Sequence, residues 1–138
     1  MELVTLLELR RQAKAQLLTY RRVKGKLAAR ELKGPERETA KGWICAIDAA
    51  RRMLAANLPE KERAMNRLFG LDVPIPRYQP TRERVVKLAM DFCISESTLY
   101  AWREDLLSLV LMAAAELGVI APFGLRADGA SRKSGEDA

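Results

Sequence analysis

The stretch 81–117, TRERVVKLAMDFCISESTLYAWREDLLSLVLMAAAEL, decides how this chain is read. Its apolar residues fall into two stripes on either side of a few polar positions. Before Ser95, the residues Val85, Leu88, Ala89, Phe92 and Ile94 share one side of a helix. After it, Leu99, Trp102 and Leu106 recur at spacings of three and four, which marks a second helical stripe. Ser95 is the pivot, because a serine hydroxyl accepts hydrogen bonds from the free backbone N–H groups of a first helical turn. Ala89 is small where two helices crossing steeply beside a short turn bring their backbones together. Two stripes joined this way predict a helix-turn-helix, whose second helix fits the major groove of DNA. An αα-hairpin that binds nothing shows the same stripes and the same capped turn, so both readings stand at this point.

Working upstream, Pro59-Glu60-Lys61-Glu62 reads as a first helical turn, followed by the stripe Met65, Leu68 and Phe69 and a stop at Gly70. The next residues, DVPIPRYQP, hold Pro74, Pro76 and Pro80 and must be extended. Arg77 and Tyr78 in that loop can reach phosphates; equally, the loop simply spaces two helices. Further back, Trp43, Ile44, Ile47, Ala50, Leu54 and Leu58 give the apolar face of a helix running to about Asn57, with Trp43 as a core anchor. Glu36 and Glu38 fall near its start, where negative charge suits the helix dipole. The first 32 residues are helix-rich, with Leu6, Leu9, Ala13, Leu17, Tyr20, Val23 and Leu27 as one continuous stripe. Gly25 is a candidate bend, and Lys33-Gly34-Pro35 is the expected stop, with Gly at a helix end and Pro near the next start. Downstream, Gly118 is expected to close the last long helix.

The run LAMDFCISESTLYAW followed by an aliphatic helix resembles the C-terminal helix-turn-helix of phage late-transcription regulators of the RinA/ArpU type. That segment is itself similar to region 4 of bacterial sigma factors, where an IAxxLGVSxxTV run precedes the recognition helix. The matching residues are Leu88, Ala89, Phe92, Cys93, Ile94, Ser95, Thr98 and Leu99. LPEKERAMNRLFGLD, residues 58–72, looks like the first helix of the same module. Cys93 departs from the pattern, since the family commonly has Gly there for a left-handed turn residue. The resemblance implies sequence-specific binding of double-stranded DNA in control of phage or prophage late transcription. Contact with RNA polymerase is a further expectation.

Composition sets the bounds. The chain has 138 residues, of which 49% are hydrophobic and 30% charged, a globular balance. A net charge of +6 favours polyanionic partners. There is no histidine, and the two cysteines, Cys45 and Cys93, form no CxxC pair; no metal and no cofactor are expected. Both thiols are expected to be buried and reduced. No secretory signal is read at the N-terminus, and the apolar run 106–115, broken only by Ser108, is too short to span a bilayer. A cytoplasmic protein without membrane attachment is the expectation. No Gly-rich phosphate loop, nucleophile elbow or metal-spaced acidic cluster points to an enzyme.

The predicted architecture is all-α: an N-terminal antiparallel helical pair over 1–58, a three-helix, sigma-region-4-like helix-turn-helix module over 59–120, and a flexible C-terminal tail over 121–138. The candidate DNA-reading residues are Glu96, Ser97, Thr98, Tyr100, Ala101 and Arg103 at the start of the second helix. Ser and Thr bond base edges or phosphates, Glu accepts from cytosine N4, and Ala meets a thymine methyl. Arg82, Arg84 and Lys87 on the preceding helix are placed to hold the DNA backbone. The charge of the reading helix is the difficulty: Arg103 is its one basic residue, against Glu96, Glu104 and Asp105. Nine further cations, Arg10, Arg11, Lys14, Arg21, Arg22, Lys24, Lys26, Arg30 and Lys33, line the side opposite the first apolar stripe. They read either as a phosphate-gripping face or as a solvated helix surface. Residues 106–117 are apolar on more than one side, so the helix is either wrapped by its own chain or shared in a homodimer. That second possibility supports a rival function, a protein-interaction or assembly module such as a polymerase contact or a small phage packaging subunit.

Overall fold

Thr19 breaks the first apolar stripe into two helices. Its side-chain hydroxyl donates to the Ala15 carbonyl at 2.9 Å, and such back-bonding to the preceding turn bends a helix. In the computed structural model, which describes residues 5–75 and 80–120, helix α1 therefore spans Leu6–Leu18 and α2 spans Tyr20–Ala28. The expected bend at Gly25 is not seen; that residue lies inside α2. Nor is Gly34 the stop. Arg30, at φ 60°, takes the left-handed position, with its N–H on the Leu27 carbonyl and the Glu31 N–H on that of Lys26. This paired closure satisfies carbonyls that the helix end leaves free. Gly34 instead opens α3, Gly34–Asn57.

The remaining elements follow the periodicity. Helix α4 spans Pro59–Phe69, α5 Thr81–Asp91 and α6 Glu96–Glu116. Gly70 closes α4 in the left-handed conformation. Gly118 does the same beyond α6, where the Val119 N–H reaches the Ala114 carbonyl at 2.8 Å. The chain is all-α, with no strand among the described residues. Arg77 and Tyr78 and the 121–138 tail lie outside the described residues.

Helix α6 is the axis of the fold, packed by α3, α1, α5 and α4. Helix α3 runs antiparallel along it. Gly42 of α3 meets Val119 just past the end of α6, so closely that a Cβ there would lie 2.6 Å from a Val119 methyl. Met53 and Leu54, near the other end of α3, border a groove with Ser108 and Leu109 of α6. The buried cluster runs without a gap from Leu9, Ala13, Leu17 and Tyr20, through Trp43, Ile47, Ala50 and Leu54, to Leu106, Leu107, Val110 and Leu111. The division at residue 58 thus separates two stretches of sequence that share one core. Burial of this kind contributes roughly 1.5–3 kcal/mol for each large aliphatic side chain.

Arg51, only 17% exposed, ties the bundle together from α3. Its Nη2 donates to Asp72 at 2.7 Å, its Nε to Asn66 at 3.0 Å and its Nη1 to the Tyr20 hydroxyl at 3.2 Å. Burial opposes the guanidinium charge, but the hydrogen bond and charge of Asp72 outweigh it and hold the group above its ordinary pKa. The Tyr20 hydroxyl donates to Asp48 at 2.5 Å, which fixes α2 against α3. Some apolar residues expected inside are not there: Leu6 and Leu58, at the ends of helices, are exposed. Both cysteines are free and exposed, contrary to expectation. Cys45 sits between Ile44 and Ala46 on the outward edge of α3, and Cys93 sits in the turn after α5.

Candidate nucleic-acid interface

The turn between α5 and α6 is built from backbone closure at one end and a side-chain cap at the other. Cys93 takes the left-handed conformation at φ 54°. Its N–H bonds the Met90 carbonyl at 3.2 Å, and the Ile94 N–H bonds that of Ala89 at 3.0 Å. Where the sequence departs from glycine, the geometry still demands what glycine supplies. Ser95 then caps α6, its Oγ accepting from the Thr98 N–H at 3.1 Å. The same hydroxyl donates to the Thr98 hydroxyl at 2.9 Å and lies 3.0 Å from that of Ser97. Val85, Leu88 and Ala89 of α5 and Leu99 of α6 are buried, which holds the two helices together. Arg67 of α4 locks the other side: it pairs with Asp91 at 2.8 Å and lies over the Phe92 ring.

The nine predicted site residues divide by environment. Arg82, Lys87, Ser97 and Ala101 are exposed. Ser97 and Ala101 stand four residues apart on one outward stripe of α6, the spacing that stacks side chains on one helical face. Thr98 and Tyr100 flank that stripe, half-buried. Arg84 is turned inward, its Nη2 donating to the Leu68 carbonyl at 3.3 Å, and it braces α5 against α4 rather than facing outward. Arg103 is also half-buried, with its guanidinium over the Tyr100 ring and a 3.3 Å contact to Glu104. Glu96 pairs with Arg82 at 3.0 Å.

This arrangement answers the charge difficulty. Each carboxylate in the first half of α6 has a cation from another helix: Glu96 has Arg82 of α5, Glu104 has Arg10 of α1, and Asp105 has Lys61 of α4 at 2.5 Å. Lys61 was not singled out as a site residue in the sequence and Arg10 only as one cation of the N-terminal run; the pairs they make join distant parts of the chain. Among the described residues, no three His, Cys, Asp or Glu side chains converge as metal ligands. No described helix is long and apolar enough to cross a membrane.

No family model, curated protein or solved structure matches this chain. The second half of α6, with Leu106, Leu107, Val110, Leu111, Ala113 and Ala114 buried, is covered by helices of the same chain. Its apolar excess therefore does not call for a second protomer. Met112, and Leu117 just past its end, remain exposed.

Proposed function

We propose that the protein binds double-stranded DNA with the N-terminal turns of α6 in the major groove and acts as a transcriptional regulator of phage or prophage origin. The observation that carries this reading is the pairing of all three carboxylates of the leading half of α6 with cations drawn from α5, α1 and α4. It leaves Ser97 and Ala101 outward as small reading residues. Arg82 and Lys87, exposed on α5, supply backbone contacts as that helix crosses a strand. The resemblance to late-transcription regulators suggests the biological setting, a cytoplasmic site with RNA polymerase as a second partner.

Binding to a labelled random-sequence duplex, followed by fluorescence anisotropy across a salt series, tests the reading. Affinity is expected to fall steeply between roughly 50 and 200 mM salt, and the combined Arg82→Ala and Lys87→Ala variant to have a shallower salt slope by about 2. Absence of salt-sensitive binding at the lowest salt sinks the DNA reading. One observation favours the rival role of a protein-interaction module. Met53, Leu58 and Leu109 line a groove between α3, α4 and α6, and Met53 and Leu58 are exposed. Under that reading the Arg82 and Lys87 variant leaves every association unchanged.

A further inference from the structure

The basic run of the N-terminal segment is not one surface, and the structure divides it. We propose that α1 is a further DNA-contacting helix, with Arg11 and Lys14 gripping phosphates at the rim of the groove that α6 enters, while the equally basic α2 stays off the DNA. The proposal rests on the reading of α6 given above.

The placement of α1 follows from its packing. It lies on α6, and Arg10 reaches Glu104. Glu104 is nine residues beyond the Ser95 cap, which at the helical rise is about 13 Å along the axis. The major groove is about 8.5 Å deep. With only the N-terminal turns of α6 in the groove, a helix touching α6 at Glu104 stands beside the groove's mouth, near its bordering phosphates. Arg10 has a second effect there, because it neutralises a carboxylate that would otherwise face those phosphates. Lys14 follows Arg10 by one turn on the same flank, and Arg11 projects from the side away from the core residues Leu9, Ala13 and Leu17; both are exposed.

Helix α2 is anchored further along the bundle. The Tyr20 hydroxyl is bonded to Asp48 of α3, and α3 runs antiparallel to α6. Asp48 lies between Gly42, which meets Val119 beyond the C-terminus of α6, and Met53, which faces Ser108 and Leu109 across their groove. Arg22 and Lys26, although exposed, are thus carried by a helix anchored farther along α6 from Ser95 than Arg10 is. Two sets of cations that look alike in sequence are attached at different points along α6.

The test compares the full-length protein with three double variants on a labelled random duplex across the same salt series: Arg11→Ala with Lys14→Ala, Arg22→Ala with Lys26→Ala, and Arg82→Ala with Lys87→Ala. The α1 pair is expected to weaken binding and to reduce the slope of log affinity against log salt by about 1 to 2, while the α2 pair leaves the slope unchanged. A wild-type slope in the α1 variant, beside a reduced slope in the Arg82 and Lys87 variant, overturns this proposal and spares the DNA reading. Equal losses in the α1 and α2 variants overturn it as well, since only net charge would then matter. No binding by the wild-type protein removes the functional reading and this proposal together. All four residues of the α1 and α2 pairs are exposed, and unchanged thermal unfolding confirms that each variant is folded.

Discussion

The two halves of α6 obey different rules although they form one unbroken helix. From Glu96 to Asp105, Leu99 is fully covered, and the three carboxylates are paired with cations from other helices. From Leu106 onward, six of the eleven residues to Glu116 are buried, on more than one side. The first half is partly exposed, held in place by a cap and ion pairs. The second half is the axis on which α1 and α3 pack. A helix whose second half is core cannot shift relative to the bundle, so its leading turns are held rigidly.

The contrast predicts opposite responses to equally small changes. Leu106→Ala removes a fully buried side chain at the start of the core half, and a loss of about 2–5 kcal/mol is expected in urea unfolding. Ser97→Ala, in the exposed half, is expected to change stability by less than about 0.5 kcal/mol while altering which duplex sequences are preferred. A Leu106→Ala protein as stable as wild type breaks the division between the halves. Between these extremes lies Ser95→Ala. It removes the acceptor for the Thr98 N–H, and a loss of about 1 kcal/mol is expected from such a cap. If that variant instead unfolds like wild type, the cap does not fix the start of the reading helix.

Much of this was legible in the sequence, for an identifiable reason. Helices α3, α4, α5 and α6 announce themselves through stripes at spacings of three and four and through local end signals, the Ser95 cap and the stops Gly70 and Gly118. Such signals are local, and local chemistry governs helix ends. The first segment was misread where a weaker local signal prevailed. A serviceable glycine at position 25 suggested the bend, whereas the Thr19 hydroxyl on the Ala15 carbonyl makes it, and Arg30 rather than Gly34 occupies the left-handed stop. The candidate site was legible in position but not in character. No spacing rule could disclose that Glu104 finds Arg10 or that Asp105 finds Lys61, because those pairs depend on how α1 and α4 pack on α6. Exposure of Cys45 and Cys93 was likewise hidden, since both neighbour apolar positions without sharing their faces.

Cys93 offers a smaller and more pointed test of the turn. A non-glycine residue in the left-handed conformation costs roughly 1–2 kcal/mol locally, and glycine forgoes that cost at an entropic penalty of about 0.5–1 kcal/mol. With φ 54° and an exposed thiol, Cys93→Gly is expected to raise stability by about 0.5–1 kcal/mol. Chemical unfolding measures it directly. A destabilised glycine variant means that the Cys93 side chain makes contacts in the turn that outweigh its backbone strain.

The smallest expected effect on stability belongs to the pair that joins α1 to the leading half of α6. Arg10 and Glu104 are 30% and 41% exposed, so water screens their attraction, and a double-mutant cycle with Arg10→Gln and Glu104→Gln is expected to give a coupling below about 1 kcal/mol. Duplex affinity is expected to respond in a different pattern. Arg10→Gln leaves Glu104 without its α1 cation at the groove rim and weakens binding; Glu104→Gln removes the repelling carboxylate and tightens it. The double variant, with one charge of each sign removed, returns close to wild type. The two single variants then move affinity in opposite directions while stability barely moves, which assigns the pair to the contact surface. Equal changes in both quantities assign it to the core that α6 also carries.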